Sequence, residues 1–509
     1  MRGPGMSRYR ARPTAAVHIC ACFLAKEQCY IDVTIPESVA PAAVRCPTGS
    51  ALTAMATATQ ALPNSSTVRK AGFALALVYL FITYSRVIEV LIPSLRITAL
   101  VFAAVLGLAV VSGGFTQALS HRIGRFLTAY VFWLVLATPF SMWRGGSVEA
   151  LMEVARNVPV FFFIGGMAAD FEDSRKAIHT LGYGILTLSI LTFFFGDLMD
   201  GRLMLSSGKF ANPNDLAQAL LLALPFWWLM ATKSGMSPVR RLAAFPAFAV
   251  IVFVISRTGS RSALISAGAA GLVFMLRVSF ANKMKLAALA AAGACLAMVA
   301  VPSDMRSRFL TLFEADQPGE TAREEGGPSL EKALGSTEGR LGLLRASIQV
   351  TLHHPLLGAG PATFQIAEKD LAEEQGRRGN WHETHNAYTQ VSSEAGIPAL
   401  IFFVGVLVLS IRTSHRIHKQ CGSDARLLPL AHTALALEVA LAAYGVSSLF
   451  SSVAYGNLLP TLAGLAVALE RSAAVAAGRL QQAPASAAGV PGPYTRRFRR
   501  PSLRVQARQ

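Results

Sequence analysis

A short polar run near residue 385 has the side chains that acid–base chemistry needs. It reads Trp381-His382-Glu383-Thr384-His385-Asn386, and it ends a long polar insertion in an otherwise apolar chain. A neutral imidazole titrates near pH 7, so it is suited to take a proton from a hydroxyl group. The run therefore contains candidates for acid–base chemistry, and His385 lies immediately before a long apolar stretch. The alternative is an interfacial histidine that only caps the following helix.

The same residues do not have the spacing of a metal site. His382 and His385 are three positions apart, whereas the zinc motif His-Glu-x-x-His separates its histidines by four and lies within a helix. The cysteines also lack a metal-binding spacing; they are Cys20, Cys22, Cys29, Cys46, Cys295 and Cys421. We therefore expect neither a metal ion nor another cofactor.

Two arginines in one tight turn could hold an anionic group. Arg257 and Arg261 lie in the turn Ser256-Arg257-Thr258-Gly259-Ser260-Arg261-Ser262. A guanidinium presents five donors in a planar fork, which suits phosphate or pyrophosphate. The alternative is that arginines at helix ends reach for lipid headgroups and water.

The composition indicates a polytopic membrane protein. The 509-residue chain is 53% hydrophobic and only 15% charged, with a mean hydropathy of +0.44. Its formal net charge of +18 comes from dispersed Lys and Arg, which is typical of cytoplasmic loops and does not favour nucleic acid binding.

Twelve apolar stretches approach the length of about 20 residues that crosses a bilayer. They predict an all-α membrane protein with about twelve transmembrane helices and one large periplasmic loop between the ninth and tenth. The stretches are Ala71–Tyr84, Ile97–Val111, Phe126–Met142, Ala150–Ala168, Ala177–Phe195, Leu216–Ala231, Leu242–Ile255, Ser262–Met275, Leu286–Val301, Ala387–Ile411, Leu427–Phe450 and Val453–Leu469.

Basic residues between the stretches set the expected orientation. With the N-terminus in the cytoplasm, the cytoplasmic loops carry about twice as many Lys and Arg residues as the opposite loops. The polar insertion and the Arg257–Arg261 turn then both face the periplasm.

The expected organisation is a disordered leader (1–69), nine spans (70–301), the periplasmic loop (302–386), three spans (387–470) and a disordered basic cytoplasmic tail (471–509).

Four segments, in their order along the chain, resemble the O-antigen ligase and O-antigen polymerase-like family of bacterial membrane glycosyltransferases. The similarity covers roughly residues 70–470. The chain departs from the family pattern in two places. Ala399 stands three positions after Gly396, where the family has another small residue, a threonine or a tyrosine, and Pro398 interrupts the usual apolar run. The four segments are Phe210 to Ala217, Gly259 to Ala263, Gly339-Arg340 with His354 to Pro361, and His385-Asn386 with Gly396.

The resemblance implies a GT-C-like enzyme of the inner membrane. It implies transfer of a glycan from undecaprenyl pyrophosphate to an acceptor hydroxyl, with His385 as the base and with Arg261, Arg340 and Arg257 on the donor pyrophosphate. The partners are then the lipid-linked donor, a glycan or lipid acceptor, and the bilayer. A polymerase or a protein O-oligosaccharyltransferase of the same family would use the same donor chemistry. A transporter or flippase of lipid-linked saccharides, which belongs to a different class of protein, would also need a basic external surface but would not need His385.

Further residues are expected to support this site. Asn212 and Asn214 belong to a turn-and-cap sequence before the sixth span, while Asn386 and Gly396 belong to the histidine segment. Glu394, about two and a half turns into the tenth span, is expected to brace a neighbouring helix or backbone.

Overall fold

The structure is a computed structural model that describes residues 65–92, 94, 97–199, 201–205, 208–232, 238–277, 283–284, 339–379 and 381–482. These residues belong to one compact unit. Residues 1–64 of the leader, the ninth span, residues 302–338 of the polar insertion and residues 483–509 of the tail lie outside the described residues.

Helices make up nearly all of the described chain. In order they are α1 Ser65–Ser85, α2 Val87–Leu91, α3 Ile97–Val111, α4 Gly114–Leu119, α5 Arg122–Ala137, α6 Arg144–Asn157, α7 Pro159–Met167, α8 Phe171–Phe195, α9 Pro213–Leu221, α10 Leu224–Thr232, α11 Pro238–Arg257, α12 Arg261–Arg277, α13 at residues 339–353, α14 Phe364–Glu374, α15 Ala387–Cys421, α16 Leu428–Ser447 and α17 Leu458–Gln482.

The described residues contain eight helical segments that are long and apolar enough to cross a membrane. They are Thr67–Ser85, Arg122–Phe140, Arg144–Met167, Phe171–Phe195, Pro213–Thr232, Ala387–Cys421, Leu428–Ser447 and Leu458–Arg479. Three more expected spans coincide with α3, α11 and α12, and α3 is a shorter apolar helix. The prediction of a helical, multi-pass membrane protein is therefore confirmed. The total of twelve spans stays a prediction.

Two expected boundaries differ from the structure. The first helix begins at Ser65, before the expected end of the leader at residue 69. The last helix continues to Gln482, so residues 471–482 of the expected disordered tail are helical. Two features explain why the helix continues past residue 471. Its sequence there is rich in alanine, which favours helix. In addition, Arg471 donates hydrogen bonds to the carbonyl oxygens of Gly165 and Ala168 at 2.6 and 2.7 Å. These contacts connect the middle of α17 to the end of α7.

A two-stranded hairpin is the main departure from an all-helical chain among the described residues. Strands β1 Asp197–Met199 and β2 Arg202–Met204 are antiparallel, with Leu198 opposite Leu203. Gly201 has a φ of 73°, a left-handed conformation that favours glycine in such a turn. The hairpin was not among the expectations, although the Asp200-Gly201 pair between the two strands is a typical sequence for a two-residue hairpin loop.

Small residues let the central helices approach closely. A Cβ on Gly464 of α17 would lie 3.0 Å from the carbonyl oxygen of Phe161 in α7, and one on Gly166 would lie 2.1 Å from the carbonyl oxygen of Gly114. Membrane helices commonly use glycine at such crossings because van der Waals contact replaces the hydrophobic effect there. The buried apolar core continues from these crossings through α1, α5, α8, α9, α15 and α16.

Polar contacts define two ends of the bundle. At the end that we call the His121 end, His121 and Arg416 both pair with Glu470. At the opposite end, which we call the His385 end, the Ala387 amide donates to the Ser448 carbonyl oxygen at 2.8 Å. Ser174, early in α8, contacts Ser472 near the His121 end. The α8 helix therefore carries the hairpin toward the His385 end.

Candidate active site

The segment from Thr384 to Asn386 is held where α15 begins. Asn386 is the N-cap, and its side-chain oxygen accepts from the amides of Tyr388 and Thr389 at 2.9 and 3.2 Å. A side chain in this position satisfies amides that have no partner within the helix. Asn386 thus has a structural role beside the candidate base, as a cap of the helix that follows it.

The backbone of His385 is in a conformation that few residues other than glycine adopt. Its φ is 49°, and its amide donates to Ser452 Oγ at 2.9 Å. Ser452 Oγ also lies 3.3 Å from Thr384 Oγ1. Left-handed backbone in a non-glycine residue costs of order 1–3 kcal/mol and persists where surrounding contacts fix it. The segment between α16 and α17 therefore sets the direction in which the imidazole points.

The imidazole of His385 is mostly buried and lies within reach of positive charge. Burial, with the charges of Arg340 and then His382, lowers its pKa to about 4. Each of these causes disfavours the imidazolium form. At neutral pH His385 is therefore uncharged and able to accept a proton, and Arg340 is close enough to act on it electrostatically.

A second part of the polar insertion docks into a break in α15. At Gly396 the backbone has φ 82° and ψ 175°, which interrupts the helix. The Ile397 amide there donates to the Pro355 carbonyl oxygen at 2.8 Å. A Cβ on Gly396 would lie 2.0 Å from the Leu356 carbonyl oxygen. The break in the helix thus receives the turn at residues 355–361.

Hydrogen bonds from several elements fix this turn. The amides of Ala359 and Gly360 donate to the carbonyl oxygens of Ser393 and Glu394 at 2.8 and 2.9 Å. Trp133 of α5 donates to the Leu356 carbonyl oxygen at 3.2 Å. The Pro-Leu-x-Gly-x-Gly sequence therefore functions as a docking turn that connects α13 to the bundle just before the His385 segment.

Glu394 braces this region, as expected. Its Oε2 accepts from the Ala362 amide at 2.8 Å and from the Tyr455 hydroxyl at 2.6 Å. The side chain is buried, 4% exposed. A buried carboxylate that accepts from both a backbone amide and a phenol joins the docking turn to the segment before α17.

Arg257 and Arg261 flank a turn that the hairpin holds in place. Arg202 of β2 donates to the Thr258 carbonyl oxygen and to Asn214 Oδ1, both at 2.8 Å. Ser260 donates to the same Asn214 oxygen at 2.9 Å. Asn214 therefore joins the hairpin, the start of α9 and the arginine turn.

Asn212 is the N-cap of α9. Its side-chain oxygen accepts from the Asn214 amide at 2.9 Å, and Pro213 occupies the first turn, where its missing amide is no loss. The cap keeps Asn214 at the junction with Arg202 and Ser260. Both asparagines thus have positioning roles in the structure.

The expected site residues fall into two groups at the same end of the bundle. His385, Asn386, Gly396 and Arg340 form one group, joined through the docking turn and through the charge of Arg340 on the imidazole. Arg257 and Arg261 form the other with the two asparagines. The expected meeting of Arg261 with His385 in a single cavity stays a prediction.

Sequence reasoning missed three residues that shape this end of the molecule: Ser452, Tyr455 and Arg202. Ser452 and Tyr455 lie in a polar interval between two apolar stretches, Ser451-Ser452-Val453-Ala454-Tyr455, which the predicted spans divided between loop and helix. Arg202 lies in the interval between two predicted spans, Ala177–Phe195 and Leu216–Ala231. The signal available for all three was polarity at the expected periplasmic boundary.

One family comparison matches the chain. Residues 218–404 match the family model described as O-antigen ligase. Among curated proteins, none matches the chain. The matched region contains His385, the three arginines, Asn386 and Gly396, whereas Asn212 and Asn214 precede it.

Proposed function

From its O-antigen ligase-like region, residues 218–404, we propose that this membrane protein transfers a glycan from undecaprenyl pyrophosphate to an acceptor hydroxyl. The family supports a ligase-like or polymerase-like function in polysaccharide biosynthesis, with lipid-linked glycan substrates. The proposed location is the periplasmic face of the bacterial inner membrane. The observation that carries the proposal is a neutral, mostly buried imidazole at the start of a membrane helix, close enough to the Arg340 guanidinium for its charge to lower the pKa of His385.

His385 acts as the general base in this reaction. The imidazole takes the proton of the acceptor hydroxyl while that oxygen forms a bond to the anomeric carbon. The bond between the anomeric carbon and the pyrophosphate oxygen breaks, and the leaving pyrophosphate keeps the electron pair. Direct displacement inverts the configuration at the anomeric carbon.

The arginines hold the leaving group. Arg340, Arg261 and Arg257 would donate to the phosphate oxygens and stabilise the charge that develops on them. A bound pyrophosphate would also offset the charge of Arg340 on the imidazole, which raises the pKa of His385 from about 4. The base then becomes stronger when the donor is in place.

Replacing the base tests the proposal. His385→Asn should reduce transfer by about 10²-fold to 10⁴-fold, the usual contribution of a general base. Asparagine tolerates left-handed backbone, so the variant should keep its fold. The measurement is transfer by purified protein in membranes, with polyprenyl-pyrophosphate glycan and candidate acceptors, together with thermal unfolding.

His353→Asn is the matched control, because His353 is exposed at the end of α13. It should keep wild-type transfer. Wild-type transfer by a folded His385→Asn variant would exclude His385 as the base and would favour a transporter of lipid-linked saccharides. The product formed from each acceptor separates a ligase from a polymerase or a protein oligosaccharyltransferase.

Replacing Arg261 tests the phosphate role. Arg261→Lys should weaken donor binding several-fold or more, because an ammonium group cannot make the two parallel hydrogen bonds of a guanidinium. The measurement is the donor KM, or the donor Kd by titration. Arg175→Lys, at an exposed position of α8, is the control. An unchanged donor affinity in Arg261→Lys would reject the role.

A further inference from the structure

An open cavity of about 380 Å³ lies beside the proposed site, between α6, the docking turn and the segment before α17. Its lining includes Trp143, Glu149, Glu153, Arg156 and Tyr455. Glu149, Glu153 and Arg156 are charged residues of α6, which forms the first part of the segment Arg144–Met167 that is apolar enough to span a membrane. Ionisable groups in such a segment are costly, and they commonly mark a substrate path.

The cavity has a fixed wall on the side of the candidate base. Ala362 and Tyr455, which both line it, donate to the same carboxylate oxygen of Glu394. Tyr455 follows Ser452, which accepts from the His385 amide, by three positions. The contacts that orient His385 and the contacts that shape the cavity therefore come from the same short segment.

The opposite wall is one face of α6. Glu149, Glu153 and Arg156 are spaced by four and three positions, so they share a helix face. Arg156 donates to the Met152 carbonyl oxygen at 3.1 Å, so its guanidinium is held along its own helix. Two carboxylates against one guanidinium leave this wall with a net negative charge.

An indole stands at the edge of this wall. A Cβ on Gly146 would lie 2.4 Å from Trp143 Cε3, so the ring lies directly against the first turn of α6. The residue nevertheless remains 51% exposed. An exposed aromatic face beside carboxylates suits a sugar ring, whose C–H face packs on the ring and whose hydroxyl groups donate to the carboxylates.

The charge of the wall decides which part of a glycan substrate fits. A pyrophosphate would face Glu149 and Glu153 and would be repelled, whereas hydroxyl groups would find strong acceptors. We propose that this cavity binds an uncharged sugar ring of the acceptor glycan, with Glu149, Glu153 and Trp143 as its specificity-determining residues. The assignment to the acceptor rests on the proposed transfer function.

Binding can be measured without transfer. The full-length protein in phosphatidylethanolamine nanodiscs would be titrated with methyl β-lactoside and with methyl β-glucuronide, and binding would be followed by saturation-transfer NMR. We expect the neutral disaccharide to bind and the acidic sugar to bind at least tenfold more weakly. Equal binding of the two sugars by the wild type would overturn the proposal.

Two sets of variants connect this binding to the cavity. Glu149→Ala/Glu153→Ala and, separately, Trp143→Ala should weaken binding of the neutral disaccharide about tenfold. The nearly isosteric Glu149→Gln/Glu153→Gln variant should fold like the wild type and lose discrimination against the glucuronide. Glu172→Ala, which removes an exposed carboxylate of α8, should change neither property. Unchanged binding in all cavity variants would place the sugar elsewhere and overturn the proposal.

The transfer assay identifies the source of the sugar. The Glu149→Gln/Glu153→Gln variant should raise the KM for a neutral acceptor several-fold and leave the donor KM unchanged. A rise in the donor KM alone would overturn the acceptor assignment. If the wild type binds the neutral disaccharide but transfers no glycan, the proposed function fails and the cavity assignment stands on the binding data.

Discussion

The uncharged state of His385 has two local causes, burial and nearby positive charge. A histidine with a pKa near 4 remains a proton acceptor throughout the neutral range. It is a weak base until an anion arrives beside it. Arg340, which we propose binds the donor pyrophosphate, also disfavours the imidazolium form of His385. The arrangement would therefore couple donor binding to proton transfer.

The effect of Arg340 on the imidazole can be measured directly. Diethyl pyrocarbonate reacts with the neutral form of imidazole, so its reaction with His385, followed by peptide mass spectrometry between pH 3.5 and 7.5, reports the pKa of this residue. The wild-type rate should fall only as the pH approaches about 4. In Arg340→Gln the midpoint should move upward by a fraction of a pH unit to about one pH unit.

Arg345→Gln is the control for this measurement, because Arg345 lies exposed on the same helix, α13. Its midpoint should match the wild type. An identical midpoint in Arg340→Gln would show that Arg340 does not lower the pKa of His385. It would also remove the electrostatic link between the two residues.

At the scale of elements, the break in α15 is the feature on which the site depends. The docking turn needs the backbone of Gly396, whose φ of 82° and close approach to the Leu356 carbonyl oxygen leave no room for a Cβ. The first part of α15 then carries Asn386 and the His385 segment, while the second part continues through the bundle. The two parts are set at an angle that an unbroken helix would not allow.

Gly396→Ala should therefore destabilise the protein by about 2 kcal/mol or more, from backbone strain and displacement of the turn. The measurement is thermal unfolding of the purified protein, and transfer should fall in parallel. Gly271→Ala is the matched control, because a Cβ at this position of α12 would meet nothing within 4 Å. It should be neutral or slightly stabilising. Equal unfolding temperatures for the two variants would contradict the role of the break.

The sequence predicted helices better than it predicted their interruptions. Each predicted span that falls within the described residues coincides with a helix, because a long run of apolar residues is a strong signal for a membrane helix. Helix α7 begins at Pro159, within the expected fourth span, and the Gly396 break lies within the tenth. Local composition marked both places with proline or glycine, but only the packing partners decide whether such a residue bends, breaks or merely weakens a helix.

In the candidate site, too, the local sequence predicts some of the residues, and only the packing of distant segments reveals the others. His385, Arg261 and Arg340 are candidates because they lie in short polar segments that resemble the family pattern, and Arg257 lies in the same turn as Arg261. Ser452 and Tyr455 come from a distant segment and act through a backbone amide and a buried carboxylate. No spacing rule connects residues that meet only after α15, α16 and α17 have packed together.

For the whole molecule, the proposed orientation is the property to test. Arg144, exposed at the His385 end, should face the periplasm, and Lys419, exposed toward the His121 end, should face the cytoplasm. In a cysteine-free background, Arg144→Cys should react with an impermeant maleimide in spheroplasts. Lys419→Cys should react only after the membrane is permeabilised. The reverse pattern would place His385 on the cytoplasmic side and would exclude a periplasmic reaction.

The break in α15 has a consequence for the depth at which the chemistry would occur. Arg416 belongs to the charged layer with His121 and Glu470, and it lies 20 residues beyond Gly396, about 30 Å along the helix at 1.5 Å per residue. The hydrocarbon layer is also about 30 Å thick. With Arg416 near one set of lipid headgroups, the docking turn at Gly396 would therefore lie level with the opposite headgroups. An acceptor carried by its own lipid tail would present its first sugars at this level.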